Sequence, residues 1–99
     1  MTDVWRALSH PLRRDVLKLL RTGALTAGEL GEHFDCSGAT LSTHLKALRE
    51  ADLVSVEPDG TKRVYRINLS VAEEALTGLL QFLKVGEDEP QAAPEESST

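Results

Sequence analysis

TAGELGEHFDCSGATLSTHLKALREADL, residues 26–53, reads as two short helices joined by a tight turn. Thr26-Ala27-Gly28-Glu29 has the capping-box pattern, in which hydroxyl and carboxylate each take an orphan N–H at a helix start. Leu30 and Phe34 follow at i,i+4. Asp35-Cys36-Ser37 makes the turn, and Ser37 is the next cap. Leu41, Leu45 and Leu48 then fall at i, i+4, i+7 and face inward. Ala39, Ser42, Thr43 and Lys46 lie on the opposite side, Thr40 flanks them, and His44 sits at the edge of the leucine stripe. Ser and Thr are poor mid-helix residues, because their hydroxyls compete for the backbone. Their clustering here implies a demand other than helix stability. Glycines at 28 and 31 each cost about 1 kcal/mol relative to Ala in a helix interior, which predicts close packing against that helix.

The arrangement is that of a helix-turn-helix, whose second helix lays its first turns against base edges in the major groove. Small residues at Gly38, Ala39, Thr40, Ser42 and Thr43 permit close approach. Their hydroxyls suit bases or phosphates, and a Thr methyl suits a thymine methyl. The N–H groups at Ser37–Ala39 attract a phosphate, and Lys46 reaches the backbone one turn on. The competing reading is a solvated helix face beside an ordinary charged hairpin.

Downstream, LVSVEPDGTKRVYRIN (residues 53–68) holds two β-rich runs, 53–57 and 62–68, around Pro58-Asp59-Gly60-Thr61. Asp-Gly between such runs predicts a hairpin. Lys62 and Arg63 follow the turn, placed for phosphates or the minor groove. Ser70 and Glu73 give a second capping box for a helix over about 71–84. Its apolar residues Ala72, Ala75, Leu76, Leu79, Leu80, Phe82 and Leu83 cover more than one stripe, so it must bury two faces. Upstream, Thr2 can cap a short helix carrying Val4, Trp5 and Leu8. Ser9-His10-Pro11 breaks it, and Pro11 starts a second helix at the favoured first position. Leu12, Val16, Leu19 and Leu20 form that helix's stripe, and Gly23 ends it.

The predicted fold is therefore mainly α with a two-stranded β wing: a winged helix-turn-helix in the order α-α-α-α-β-β-α. It pairs as a homodimer through the first and last helices, with Val4, Trp5, Leu8, Leu76, Leu79, Leu80, Phe82 and Leu83 at the interface. Ninety-nine residues make one small domain, assigned to 1–85. A core of that size is marginal, which favours dimerisation. The lone Cys36 excludes an internal disulfide and fits a reducing compartment.

No stretch has the form of a signal peptide or reaches the length of about 20 apolar residues that spans a bilayer. A cytoplasmic protein without membrane insertion is expected. The net charge of −5 argues against nucleic acid until it is divided along the chain. Glu87, Asp88, Glu89, Glu95 and Glu96 all lie in the last fifteen residues. Without them 11 acidic residues face 11 basic ones, and a neutral body can carry a basic stripe. Residues 86–99 are predicted to form a disordered acidic tail, either solubilising or competing with phosphates for the basic face.

ALSHPLRRDVLKLL, LTAGELGEHFDCSGATLSTHLKALREADLV and DGTKRVYRIN together resemble the ArsR/SmtB-type winged-helix repressors. The matching family patterns are "AL(S/A)DPxRRxILxLL" and "TxxELAxxxxxSxxTxSxHLxxLxxAGLV", followed by the wing. The short first helix and the QFLKVGEDE ending look most like the SdpR-type autorepressor branch. The resemblance implies a homodimer that binds an inverted-repeat operator in double-stranded DNA and represses transcription, often of its own operon. By position it makes Ser37, Gly38, Ala39, Thr40, Ser42 and Thr43 the DNA readers, assisted by Lys62 and Arg63.

Two departures bear on effectors. Many relatives hold metal through cysteines of the third helix or an Asp/His/His/Glu set on the last. Residues 26–34 contain no Cys, and the last helix as read contains no His or Asp, so no metal and no cofactor are expected. Cys36, which with His33 at i,i+3 is the only remnant of a metal set, stands where the family usually has an aliphatic core residue and reads as a small buried hydrophobe, with a redox thiol and a metal ligand as the alternatives. His10 and His33 read as turn or cap residues, and His44 as either a phosphate contact or a packing residue. No nucleophile–base pair, carboxylate dyad or phosphate loop suggests an enzyme. The other classes that stay open are a winged-helix module that docks a protein partner and a thiol- or ligand-responsive switch with an unknown effector.

Overall fold

The computed structural model of the chain describes residues 3–88, and side chains as far as Lys84. Thr2 and residues 89–99 of the expected tail lie outside the described residues. The elements are α1 (Val4–Ala7), α2 (Pro11–Leu20), β1 (Leu25–Thr26), α3 (Ala27–His33), α4 (Gly38–Glu50), β2 (Val54–Asp59), β3 (Lys62–Ile67) and α5 (Leu69–Asp88). This is the predicted mainly-α winged helix with one short strand added. β1 pairs antiparallel with β3, Leu25 opposite Tyr65, so the sheet has the order β1-β3-β2. Two residues leave no alternation to read, and only the partner strand makes them a strand.

The core gathers one face from each element. Val16, Leu17 and Leu20 of α2, Leu30 of α3, and Leu41, Leu45 and Leu48 of α4 are buried. They meet Ala7, Ala51, Leu53, Val54 and Tyr65. Burying a leucine side chain contributes about 1.5–3 kcal/mol. Leu17, outside the predicted stripe, is buried, while Leu12 and Leu19 are only half-buried.

Local chemistry explains the boundaries. Asp3 caps α1, its Oδ1 accepting from Trp5 N–H at 3.0 Å. The Thr26–Glu29 capping box of α3 is complete in both directions, at 3.1 and 2.8 Å. α4 ends in a Schellman motif: Asp52 N–H reaches Arg49 C=O, Leu53 N–H reaches Leu48 C=O, and Asp52 is left-handed at φ 61°. Buried Leu48 and Leu53 make the apolar contact that accompanies it.

Four expectations change. The hairpin turn is Gly60-Thr61 alone, because Pro58 and Asp59 pair with Arg63 and Lys62. Gly60 alone takes positive φ, at 65°, as a two-residue turn with glycine first requires. Pro58 is tolerated because β2 is an edge strand. Close packing does not demand the α3 glycines: a Cβ at Gly31 would meet Leu41 Cδ2 at an ordinary 3.9 Å, and one at Gly28 only Thr26 Oγ1 at 3.9 Å. Ser70 lies inside α5 and cannot cap it. α5 also runs past residue 84 to Asp88, beyond the expected start of the tail.

Candidate nucleic-acid interface

α4 is positioned by its buried side. Leu41, Leu45 and Leu48 anchor it in the core, which turns the other half of the cylinder outward. Gly38, Ala39, Thr40, Ser42, Thr43 and Lys46 are all exposed, as is the cap Ser37. The predicted readers thus form one accessible surface. A Cβ at Gly38 would meet nothing within 4 Å, so the glycine has no packing role inside the subunit.

The hydroxyls on this surface are not equivalent. Ser37 Oγ accepts from Thr40 N–H at 3.0 Å and donates to Thr40 Oγ1 at 2.9 Å. Thr43 Oγ1 donates back along the helix to Ala39 C=O at 3.0 Å. Ser42 Oγ has no intramolecular partner among the described residues. Lys46 Nζ lies 4.0 Å from Glu50 Oε2, both exposed, an acid on the outer face that the sequence reading left out.

His44 is a packing residue. It is 8% exposed, and its Nδ1 accepts from Arg13 Nε at 3.1 Å. Its ring lies 4.2 Å from that of His10, tilted by 50°. Burial first, then the charges of His10 and Arg13, hold its pKa below the ordinary histidine value. Arg13 and His10 were missed as supports of α4. Neither has a sequence signal, since the contact joins residues 31 positions apart.

The wing carries Lys62 and Arg63 exposed at the start of β3. They line an open cleft with Thr26, Gly28, Glu29 and Glu32 at the start of α3. Glu29 accepts from the Thr26 backbone, is approached by Lys62, and titrates below the usual carboxylate range for those reasons. The wing cations therefore face an acidic helix end as well as solvent. Arg66 pairs with Glu57 at 3.6 Å across the hairpin.

Of the predicted dimer residues, Val4 and Leu8 are half-buried against the core, whereas Trp5 is exposed. Among the described side chains of α5, only Val71, Ala72 and Ala75 are half-buried. Leu76, Leu79, Leu80, Phe82 and Leu83 are all exposed. Cys36 is half-buried against the core, neither fully inside nor free. Among the described residues no three His, Cys, Asp or Glu side chains gather as a metal site needs. No described helix is long and apolar enough to cross a membrane.

Comparison with known proteins agrees with this geometry. The helix-turn-helix domain family matches residues 8–57. Transcriptional repressor SdpR of Bacillus subtilis is 35% identical over 89 residues, covering 90% of this chain and 99% of that protein. The arsenical resistance operon repressor of Staphylococcus aureus is 35% identical over 79 residues, covering 80% and 76%. The crystal structure of an ArsR family transcriptional regulator superposes with a TM-score of 0.76 at 25% identity, covering 85% of this chain and 87% of that one. The chain belongs to the ArsR/SmtB-type family of winged helix-turn-helix, DNA-binding transcriptional repressors, on the branch that includes SdpR.

Proposed function

We propose that the chain acts in the cytoplasm, without enzymatic activity, as a homodimeric repressor of an inverted-repeat operator, its own promoter included. The observation that carries this reading is the outer face of α4: small, hydroxyl-bearing and exposed from Ser37 to Lys46, on a helix whose other side is locked in the core. In this reading α4 enters the major groove, Gly38 and Ala39 N–H groups meet a phosphate, and Lys62 and Arg63 hold the flanking backbone. Trp5 and the exposed leucines of α5 cover one another across a two-fold axis. The two copies of α4 then stand about 34 Å apart, one turn of DNA. The names of the relatives, repressors both, support the biological role.

A gel shift with duplex from upstream of its own gene tests the reading. Preference for that duplex over random sequence is the expected result, with affinity for both rising at low salt. Equal affinity for both would overturn it. Thr43→Glu sets a carboxylate against the groove and abolishes binding. Arg63→Ala weakens all duplexes alike and flattens the salt slope.

A further inference from the structure

We propose that Ser42 and Thr43 read DNA by different chemistry: Ser42 by its hydroxyl to a base edge, Thr43 by its methyl to the methyl of a thymine. This rests on the DNA-reading role proposed above for α4 and names what that face selects. Thr43 Oγ1 is turned back to Ala39 C=O, so its donor is satisfied within the helix and its Cγ2 methyl is the apolar group it has left to offer. Ala39 lies one turn before it on the same exposed face, so the two methyl groups make a small apolar patch at the centre of that face. Only the major-groove C5-methyl of thymine offers a base edge an apolar match. Ser37 Oγ accepts from Thr40 N–H and donates to Thr40 Oγ1, so the Ser37 hydroxyl is used up in the cap and Thr40 Oγ1 is engaged there as an acceptor. Ser42 is left as the exposed hydroxyl of this face with no intramolecular partner among the described residues, free to donate to or accept from a base. The surface thus asks for a thymine beside a hydrogen-bonding base edge.

The test uses the full chain and a duplex that it enriches from a randomised library. That duplex is remade with each thymine in turn replaced by uracil, which removes one methyl and nothing else. One uracil position costs wild type about 4-fold, the worth of one buried methyl. Thr43→Val, which keeps the methyl and drops the hydroxyl, binds within about 2-fold of wild type and feels the same uracil. Thr43→Ser loses about 4-fold and no longer feels it. Ser42→Ala loses roughly 3- to 10-fold on the enriched duplex, as one hydrogen bond predicts, and little on random duplex. Thermal melts of these exposed variants stay close to wild type. Loss of binding by Thr43→Val with indifference to every uracil would overturn the methyl assignment, and a silent Ser42→Ala the hydroxyl assignment. Either leaves the repressor reading intact. Failure to enrich any sequence removes both.

Discussion

Asp52 holds a conformation that L-residues avoid. At φ 61° it closes the Schellman motif of α4. A left-handed residue costs about 1–2 kcal/mol when Cβ crowds the following carbonyl, with Asp and Asn least affected. Asp52→Gly should therefore stabilise the chain by about 0.5–1 kcal/mol, and Asp52→Val should destabilise it by more than about 1 kcal/mol. Urea denaturation distinguishes the two signs. His44 sets a second residue-level test. Its pKa is depressed in the folded state by burial and by His10 and Arg13, whereas the unfolded chain titrates near 6.5. Between those values the unfolded state binds more protons, so stability is full above about pH 6.5 and falls as pH drops through the folded pKa. Protonation also removes the acceptor for Arg13 Nε. Urea midpoints should fall from pH 7 to pH 5, and His44→Gln, which keeps an acceptor but does not titrate, should flatten that fall.

At the scale of elements, α4 couples a buried stripe to an exposed outer face, and Glu50 is the one acid on that face. It stands in an exposed i,i+4 pair with Lys46, in the weaker orientation, Lys before Glu. Such a pair contributes only about 0.2–1 kcal/mol. Glu50→Gln should leave the melting temperature almost unchanged. It frees Lys46 for phosphate and should raise affinity for any duplex by about 1.5- to 5-fold, an increase that fades at high salt. Fluorescence anisotropy against salt reads this. These elements also mark what can be read from a sequence. The α3 capping box and the α4 leucine spacing are local patterns that stand as read, and the wing is present with a tighter turn than its sequence suggested. β1 is legible only through its pairing with β3, and Arg13–His44 only through the packing of α2 against α4, because neither is written within one turn or one strand. Asp52 hides its stop for another reason: the family pattern has glycine there, and this chain does not. Hydroxyl spacing located the candidate interface, but the division among its hydroxyls depends on rotamers, which spacing does not specify.

At the scale of the whole molecule, α5 presents an exposed apolar face. Leu76, Leu79, Leu80, Phe82 and Leu83 are all at least 40% exposed, as is Trp5. Exposed apolar side chains in such number are what a protein–protein interface presents. Because these side chains touch little of their own subunit, a charge there should break association without unfolding the core. Leu79→Asp is predicted to sediment as a monomer at micromolar concentration with the far-UV dichroism of wild type. Trp5, the single tryptophan, reports the same event: its emission should shift to the red on dilution of wild type and be red-shifted at all concentrations in the variant. A monomer occupies one half-site at a time and forfeits the effective concentration that joins the second. Its affinity for an inverted repeat should fall by about 100-fold or more, while its affinity for a single half-site is retained. A wild-type chain that sediments as a monomer, or a variant that binds the repeat as tightly as wild type, would show that α5 does not join the two copies.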